Sequence, residues 1–282
     1  MDLKQLYDSP PWEWPGNATA IIYKAVSEPG HPESDRLMAL ELAGEPIVIN
    51  DRLAEVLMAI LQNGREPEEI RCQAVIALGA GLEAAYLEEV DIEDDFLTEI
   101  NTDEIGEGLS SHLLKKIQEK LSRLYRDAEI PERVRRRILE VSVRAPWDWH
   151  KNAVTAAYYS GDNDWRLTSV FCMGYLPGFN EELIEALRDP DQEISLEAVS
   201  SAVNHGLSEA LPKFKDILLT SPSSDKELLL RAIELVPEVC PEQAGEMLSS
   251  LLDDQDREVA TAVLDALALA EMMMELDDDE DY

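Results

Sequence analysis

Four histidines, His31, His112, His150 and His205, are the side chains best suited to acid–base or metal chemistry near neutral pH, and they are scattered along the chain. None belongs to an HExxH pair, which would set two imidazoles on one helix face around a zinc ion. The closest spacing of histidine to carboxylate is Asp148 with His150, in the turn sequence Pro146-Trp147-Asp148-Trp149-His150. There is no GxSxG elbow, GxGxxG turn or P-loop, so neither a raised nucleophile nor a phosphate cradle is indicated. Asp91, Glu93, Asp94 and Asp95 match a calcium loop in charge only, because Phe96 stands where that loop turns on glycine and the spacing to a closing glutamate fails. Cys72, Cys172 and Cys240 lie far apart on apolar-periodic segments without a CxxC spacing, the pattern of buried thiols in a reducing compartment. No catalytic residue, metal or cofactor is assigned, and the expectation is a protein that is not an enzyme.

The 282 residues carry 59 Asp plus Glu against 24 Lys plus Arg, a formal charge of −35. Affinity for nucleic acid comes mainly from cations that displace counterions from phosphate, so this balance argues against a nucleic-acid partner. Hydrophobic residues make up 45%, enough for a packed core, and the acidity is therefore a property of the surface. The first residues show no basic region followed by an apolar run, and Ala74 to Leu87 is interrupted by Glu83 and shorter than the roughly 20 residues of a membrane span. A cytoplasmic protein without a membrane crossing is expected.

The elements that would position any site follow from a repeat. Glu66 to Gly79, EPEEIRCQAVIALG, sets Ile70, Ala74 and Leu78 at i, i+4 and i+8, one helical stripe after a proline turn. Gly161 to Gly174, GDNDWRLTSVFCMG, repeats the layout with Trp165, Arg166, Ser169 and Met173. Weaker copies begin at Asp35, Val134, Ile194, Leu228 and Val259, so the successive intervals are 35, 64, 31, 29, 34 and 31 residues. About 30 residues hold two short helices, and the long interval is close to two periods with one unit altered. The first helices of the pairs are expected at Asn17 to Ser27, Asp51 to Gln62, Leu113 to Asp127, Asp148 to Tyr159, Glu181 to Arg188, Glu209 to Leu219 and Pro241 to Leu252. Asn17, Asp51 and Asn180 are N-cap candidates, and Pro241 suits a first turn. Helix breakers in RDPDQE (188–193), TSPSSD (220–225) and DDQDRE (253–258) mark the turns inside pairs. No segment alternates as a strand does, so the fold expected is all-α, an α-solenoid in which each pair buries its apolar face on the next.

An Asp-Pro turn, an aliphatic residue, arginine, a small packing residue and then Leu-Gly resembles the second helix of HEAT-like repeats, best matched by Ile70, Arg71, Ala74, Leu78 and Gly79. Val134 to Phe179, with RRRILE, VRAPWDWH and WRLTSVFCMG, further resembles an uncharacterised bacterial group of HEAT-repeat proteins, a likeness covering about the last 170 residues. The resemblance implies about seven helix pairs over residues 17–271, a cap segment over 1–16 and an acidic tail over 272–282. It brings no activity. HEAT-like di-iron hydroxylases use repeated His-Glu dipeptides as ligands, whereas these histidines precede Pro32, Leu113, Lys151 and Gly206.

Two clusters stand out on this frame. Eight of the 17 aromatic residues fall within Trp147 to Phe179. Trp147, Asp148, Trp149, His150, Trp165 and Phe171 are therefore candidates for partner binding, the alternative being rings that plug the space between helix pairs. Cys72 to Leu114 holds no Lys or Arg, its stretch 88–108 carries ten acids, and Lys115 to Arg144 then holds ten of the 24 cations, among them Arg133, Arg135, Arg136 and Arg137. Either the acidic insertion folds back on this basic patch, or the patch is a solvated helix face with scattered ion pairs. PPWEWPG (10–16) is expected to cover the apolar face of the first pair. The terminal run of five acids before Tyr282 reads as a solvating tail, or as a mimic of an acidic ligand segment.

The function expected is a scaffold or adaptor that binds a protein, a basic one being favoured, along a curved acidic helical surface. The alternative is a HEAT-like enzyme or chaperone acting on a small molecule, as in the bilin lyases whose repeats these resemble. A deep pocket lined by Trp165, Tyr158 and a carboxylate would point to that alternative.

Overall fold

The computed structural model describes residues 2–28, 30–91, 108–220, 226–252 and 254–280. Regular structure among them is helical throughout, with no strand, and the chain is all-α. In chain order the helices are α1 Leu3–Tyr7, α2 Ala18–Ser27, α3 Glu33–Leu42, α4 Asp51–Gln62, α5 Glu68–Ile76, α6 Gly79–Asp91, α7 Ser111–Arg126, α8 Glu132–Ser142 and α9 Asp148–Tyr158. There follow α10 Asn163–Met173, α11 Asn180–Ala186, α12 Gln192–Asn204, α13 Ala210–Thr220, α14 Lys226–Glu234, α15 Val236–Val239, α16 Ala244–Leu248 and α17 Arg257–Glu280. The chain divides into two compact units, Met1–Ala153 and Val154–Tyr282, and the division falls inside α9.

In the first unit α2 packs on α3, α4 on α5 and α7 on α8, while the later helices of these couples also touch, α3 with α5 and α5 with α8. All three later helices start alike. Pro32, Pro67 and Pro131 precede them with φ −51°, −52° and −51° and ψ 148°, 145° and 142°. A proline ring sets that φ and ends the preceding segment, and the glutamate that follows each places negative charge at the positive helix end. α1 packs against α2 and α3, Leu6 is buried in the same core, and the Trp14 indole donates to the carbonyls of Leu6 and Ser9 at 3.0 and 2.9 Å.

In the second unit α10 packs on α12, α11 and α13 on α12, and α14 and α15 on α17. Some of its helix starts use aspartate instead. Asp162 caps α10 by accepting from the Trp165 amide at 3.1 Å, and Asp191 accepts from Glu193 at 3.1 Å at the head of α12. The turns joining helices share one device across both units, a side-chain oxygen that accepts the amide two residues on. It occurs at Asn63, Asp127, Ser160, Asp189 and Asp254, with lengths of 2.8–3.2 Å. Asx and Ser turns of this kind satisfy amides that a helix cannot.

The stripe read from the sequence is the core. Ala39, Ala74, Ile138, Ser169, Ala198, Ala232 and Val263, all four residues after the first stripe position, are fully buried. Two of the glycines that close these helices have a packing reason. A Cβ on Gly44 would sit 3.2 Å from the Ala77 Cα, and one on Gly174 would sit 3.0 Å from the Ser201 hydroxyl. A side chain at Gly44 would have to push backbone aside by a few tenths of an ångström, and one at Gly174 would have to displace the Ser201 hydroxyl.

Several local expectations are corrected. Asn50, not Asp51, caps α4, accepting from Leu53 at 3.0 Å. Asp51 instead accepts from the Ser110 amide and hydroxyl at 2.8 and 2.7 Å, tying the start of α4 to the start of α7. Asn17 makes no side-chain cap, and Phe179 rather than Asn180 holds the cap position of α11. α17 runs on to Glu280, past the expected end at 271, since Met, Leu and Glu sustain a helix and no breaker intervenes. Of the acidic insertion 88–108, Glu88 to Asp91 belong to α6, and 92–107 lie outside the described residues. The stretch 68–90 is long and apolar enough to cross a membrane by composition. It comprises α5 and α6, and 61% of its most apolar window is buried within the protein.

Candidate functional site

His150 is the third residue of α9 and is fully buried. Its Nδ1 accepts from the Trp147 amide at 2.8 Å, which leaves the proton on Nε2, 3.0 Å from the Ser142 hydroxyl. The imidazole thus fills the role of Glu or Gln in a capping box, reaching back to the amide before the helix. Burial lowers its pKa to about 4, against the opposing pull of the Trp147 carbonyl. The pairing of Asp148 and His150 read from the sequence does not form a titrating couple near neutrality, because the imidazole points inward and Asp148 is exposed.

Trp149 lies beside it, half-buried, with its ring 3.9 Å from His150 and 5.2 Å from Tyr125, and the Arg126 guanidinium 5.9 Å from its centre. Its indole N–H is buried without a hydrogen-bond partner among the described residues. Trp149→Ala is expected to lower unfolding free energy by about 2–4 kcal/mol, near the range for large core truncations. Urea unfolding of the variant measures this, and an unchanged midpoint would return Trp149 to the role of a free anchor. Trp147 is partly exposed at the head of the same helix.

Trp165 and Phe171 belong to the second unit, both on α10 and both half-buried, with the Phe171 ring centre 5.4 Å from that of Tyr175 at a tilt of 50°. Tyr158 is buried there. Its hydroxyl donates to the Glu182 carbonyl at 3.1 Å and accepts from Arg166 at 3.1 Å, and burial pushes its pKa up to about 12. Arg166 also pairs with Asp189 at 3.0 Å. These groups join α9, α10 and α11 of that unit and present no reactive phenol.

The basic patch is answered by its own neighbourhood. Arg133 pairs with Glu69 of α5 and Arg137 with Glu140 one turn on. Arg144 reaches Glu83 at 2.6 Å and Lys115 reaches Glu89 at 2.6 Å, both on α6. Arg135 and Arg136 are also engaged. The pairing of Lys115 and Arg144 with α6 brings the edge of the acidic insertion to the basic helices, while the body of the insertion lies outside the described residues.

Two of the surface grooves bear on binding. One, of about 640 Å³, separates α2 from α4 and mixes signs, with Arg36 and Arg52 facing Glu55 and Glu66, and Arg52 lying 4.1 Å over the Tyr23 ring. The other, of about 360 Å³, lies between α14–α15 and α17. Leu230, Pro237, Ala262 and Leu269 form its apolar floor and walls, and Glu234, Glu258 and Asp265 line it without any cation. On α17 the lining residues Glu258, Ala262, Asp265 and Leu269 fall at i, i+4, i+7 and i+11, one face of the helix. Leu269 on this face is 41% exposed.

No family model matches the chain, and no curated protein matches it. Among solved structures it is similar to YibA of E. coli, at 13% identity and a TM-score of 0.43 over 94% of this chain and 95% of that one. It is also similar to an engineered protein, at 16% identity and a TM-score of 0.26 over 91% and 97%. The assignment as all-α rests on the chain's own helices.

Sequence reasoning missed the α14–α17 groove because its walls lie some 30 residues apart, and each alone reads as an ordinary amphipathic helix. The exposed apolar stripe of α17, Leu264, Ala268 and Met272, lies on a different face from the groove and gave no signal for it. Trp12, in the N-terminal segment expected to cover the first pair, is 84% exposed.

Proposed function

We propose that the chain is a HEAT-like α-solenoid of about seven helix pairs that binds a protein partner along an acidic helical surface and performs no chemistry of its own. The charge balance carries the reading. With 59 carboxylates against 24 cations, 35 carboxylates have no Lys or Arg even if every cation were matched one to one. Many of the described cations are drawn into local pairs, such as Arg36 with Glu66, Arg133 with Glu69 and Lys226 with Asp256. The uncompensated acids are therefore free to meet a basic protein, and the field they create opposes nucleic acid. The like proline starts of α3, α5 and α8, their mutual packing and the recurring Asx turns support the repeat reading. A reducing cytoplasm suits the three buried cysteines, none of them in a disulfide, and burial raises the thiol pKa of Cys72 and Cys240.

The test is retrieval of the tagged full chain from native extract at about 50 and about 300 mM salt, with mass spectrometry of what it retains. A partner with a basic segment, lost several-fold at the higher salt, is the expected result. A stoichiometric small molecule on the native protein with no protein partner would overturn the proposal in favour of a ligand-handling role, and retention indifferent to salt would overturn its electrostatic basis.

A further inference from the structure

We infer that the groove between α14–α15 and α17 is a docking site for an amphipathic helix of a partner protein whose apolar stripe is flanked by Lys or Arg. The inference deepens the acidic-surface reading and rests on it. Three observations select this occupant. The groove is apolar where a ligand would insert, with Leu230, Pro237, Ala262 and Leu269. Its about 360 Å³ suits one or two aliphatic side chains, not a whole element, so the ligand lies over the groove and inserts anchors from successive turns. A helix supplies such anchors at i and i+4 on one face.

Charge then chooses the flanks. Glu258 already holds Lys226 at 2.6 Å, but Glu234 and Asp265 have no ion-pair partner among the described residues. Both are exposed, and they come from opposite walls, Glu234 from α14 and Asp265 from α17. A helix with cations on both sides of its apolar stripe would answer both. The same charge disfavours other occupants. A second copy of this chain would bring a formal charge of −35 against another −35, and an anionic bilayer would meet carboxylates with no cation between.

The probe is a fluorescein-labelled 18-residue helical peptide with leucines at i, i+4, i+7 and i+11 and lysines beside them, read by anisotropy against the full chain. A twin with glutamate for each lysine is the control. The lysine peptide is expected to bind, and the twin at least tenfold more weakly. Glu234→Gln with Asp265→Asn, two exposed and nearly isosteric changes, should weaken the lysine peptide at least fivefold, and Leu269→Ser should do likewise. Glu13→Gln with Glu45→Gln, in the other unit, should leave it unchanged. Circular dichroism of each variant confirms that the helices persist. Equal loss from both pairs of substitutions would overturn the groove while leaving a diffuse acidic surface as the binder. Equal affinity for the two peptides, or self-association of the chain through α17, would overturn the groove as a site for a basic helix. Retention of a basic partner from extract judges the broader reading separately.

Discussion

Glu66→Ala is expected to destabilise the protein by about 3–5 kcal/mol, the cost of leaving one member of a buried ion pair alone. Glu66 and Arg36 meet at 2.8 Å with side chains only 15% and 10% exposed, and the Arg36 Nε is already buried without a partner among the described residues. The pair joins α3 to the turn that leads into α5, so its loss strands a guanidinium where two helix couples meet. Replacing both members with apolar residues, Arg36→Met with Glu66→Leu, should recover most of the loss, because two desolvation costs disappear with the attraction. Urea unfolding of the single and double variants measures both. A single variant within about 1 kcal/mol of the native chain would show the pair to be as dispensable as a surface bridge.

Acidification is expected to remove about 3 kcal/mol of stability through His150 alone. The folded chain holds this imidazole neutral down to about 4, whereas unfolding restores an ordinary value near 6.5. Between those values the unfolded state binds a proton that the folded state refuses. The contribution is therefore complete above about pH 6.5, falls as pH drops to about 4 and is flat below. Relief of repulsion among the many carboxylates acts in the opposite direction over part of the same range, so the comparison must be internal. Gln at position 150 can still accept the Trp147 amide, as it does in ordinary capping boxes, but does not titrate. The stability gap between native chain and His150→Gln should thus shrink or reverse from pH 7 to pH 4. Parallel curves would mean that the folded imidazole takes its proton as readily as the unfolded one.

The period of the apolar stripe was enough to place the core. Residues such as Ala74, Ser169 and Ala198 sit one helical turn after the stripe's first position, and a helix of 3.6 residues per turn turns that spacing into one buried face. Proline starts were equally local, because Pro32, Pro67 and Pro131 set their own dihedrals wherever the chain goes. Caps were less so. Asp51 and Asn50 are both good N-cap residues, and the choice fell to Asn50 while Asp51 reached Ser110, 59 positions away.

His150 and the α14–α17 groove were decided by tertiary structure alone. A histidine two residues from Asp148 has the composition of a titrating site, yet its protonation depends first on how deeply the fold buries the ring. The groove depends on the space left where α14 and α17 pack, a distance between helix surfaces that no single helix encodes. Periodicity along the chain determines which face of each helix is buried. The surroundings of a group after burial are set by residues distant in sequence, and desolvation and charge act through space.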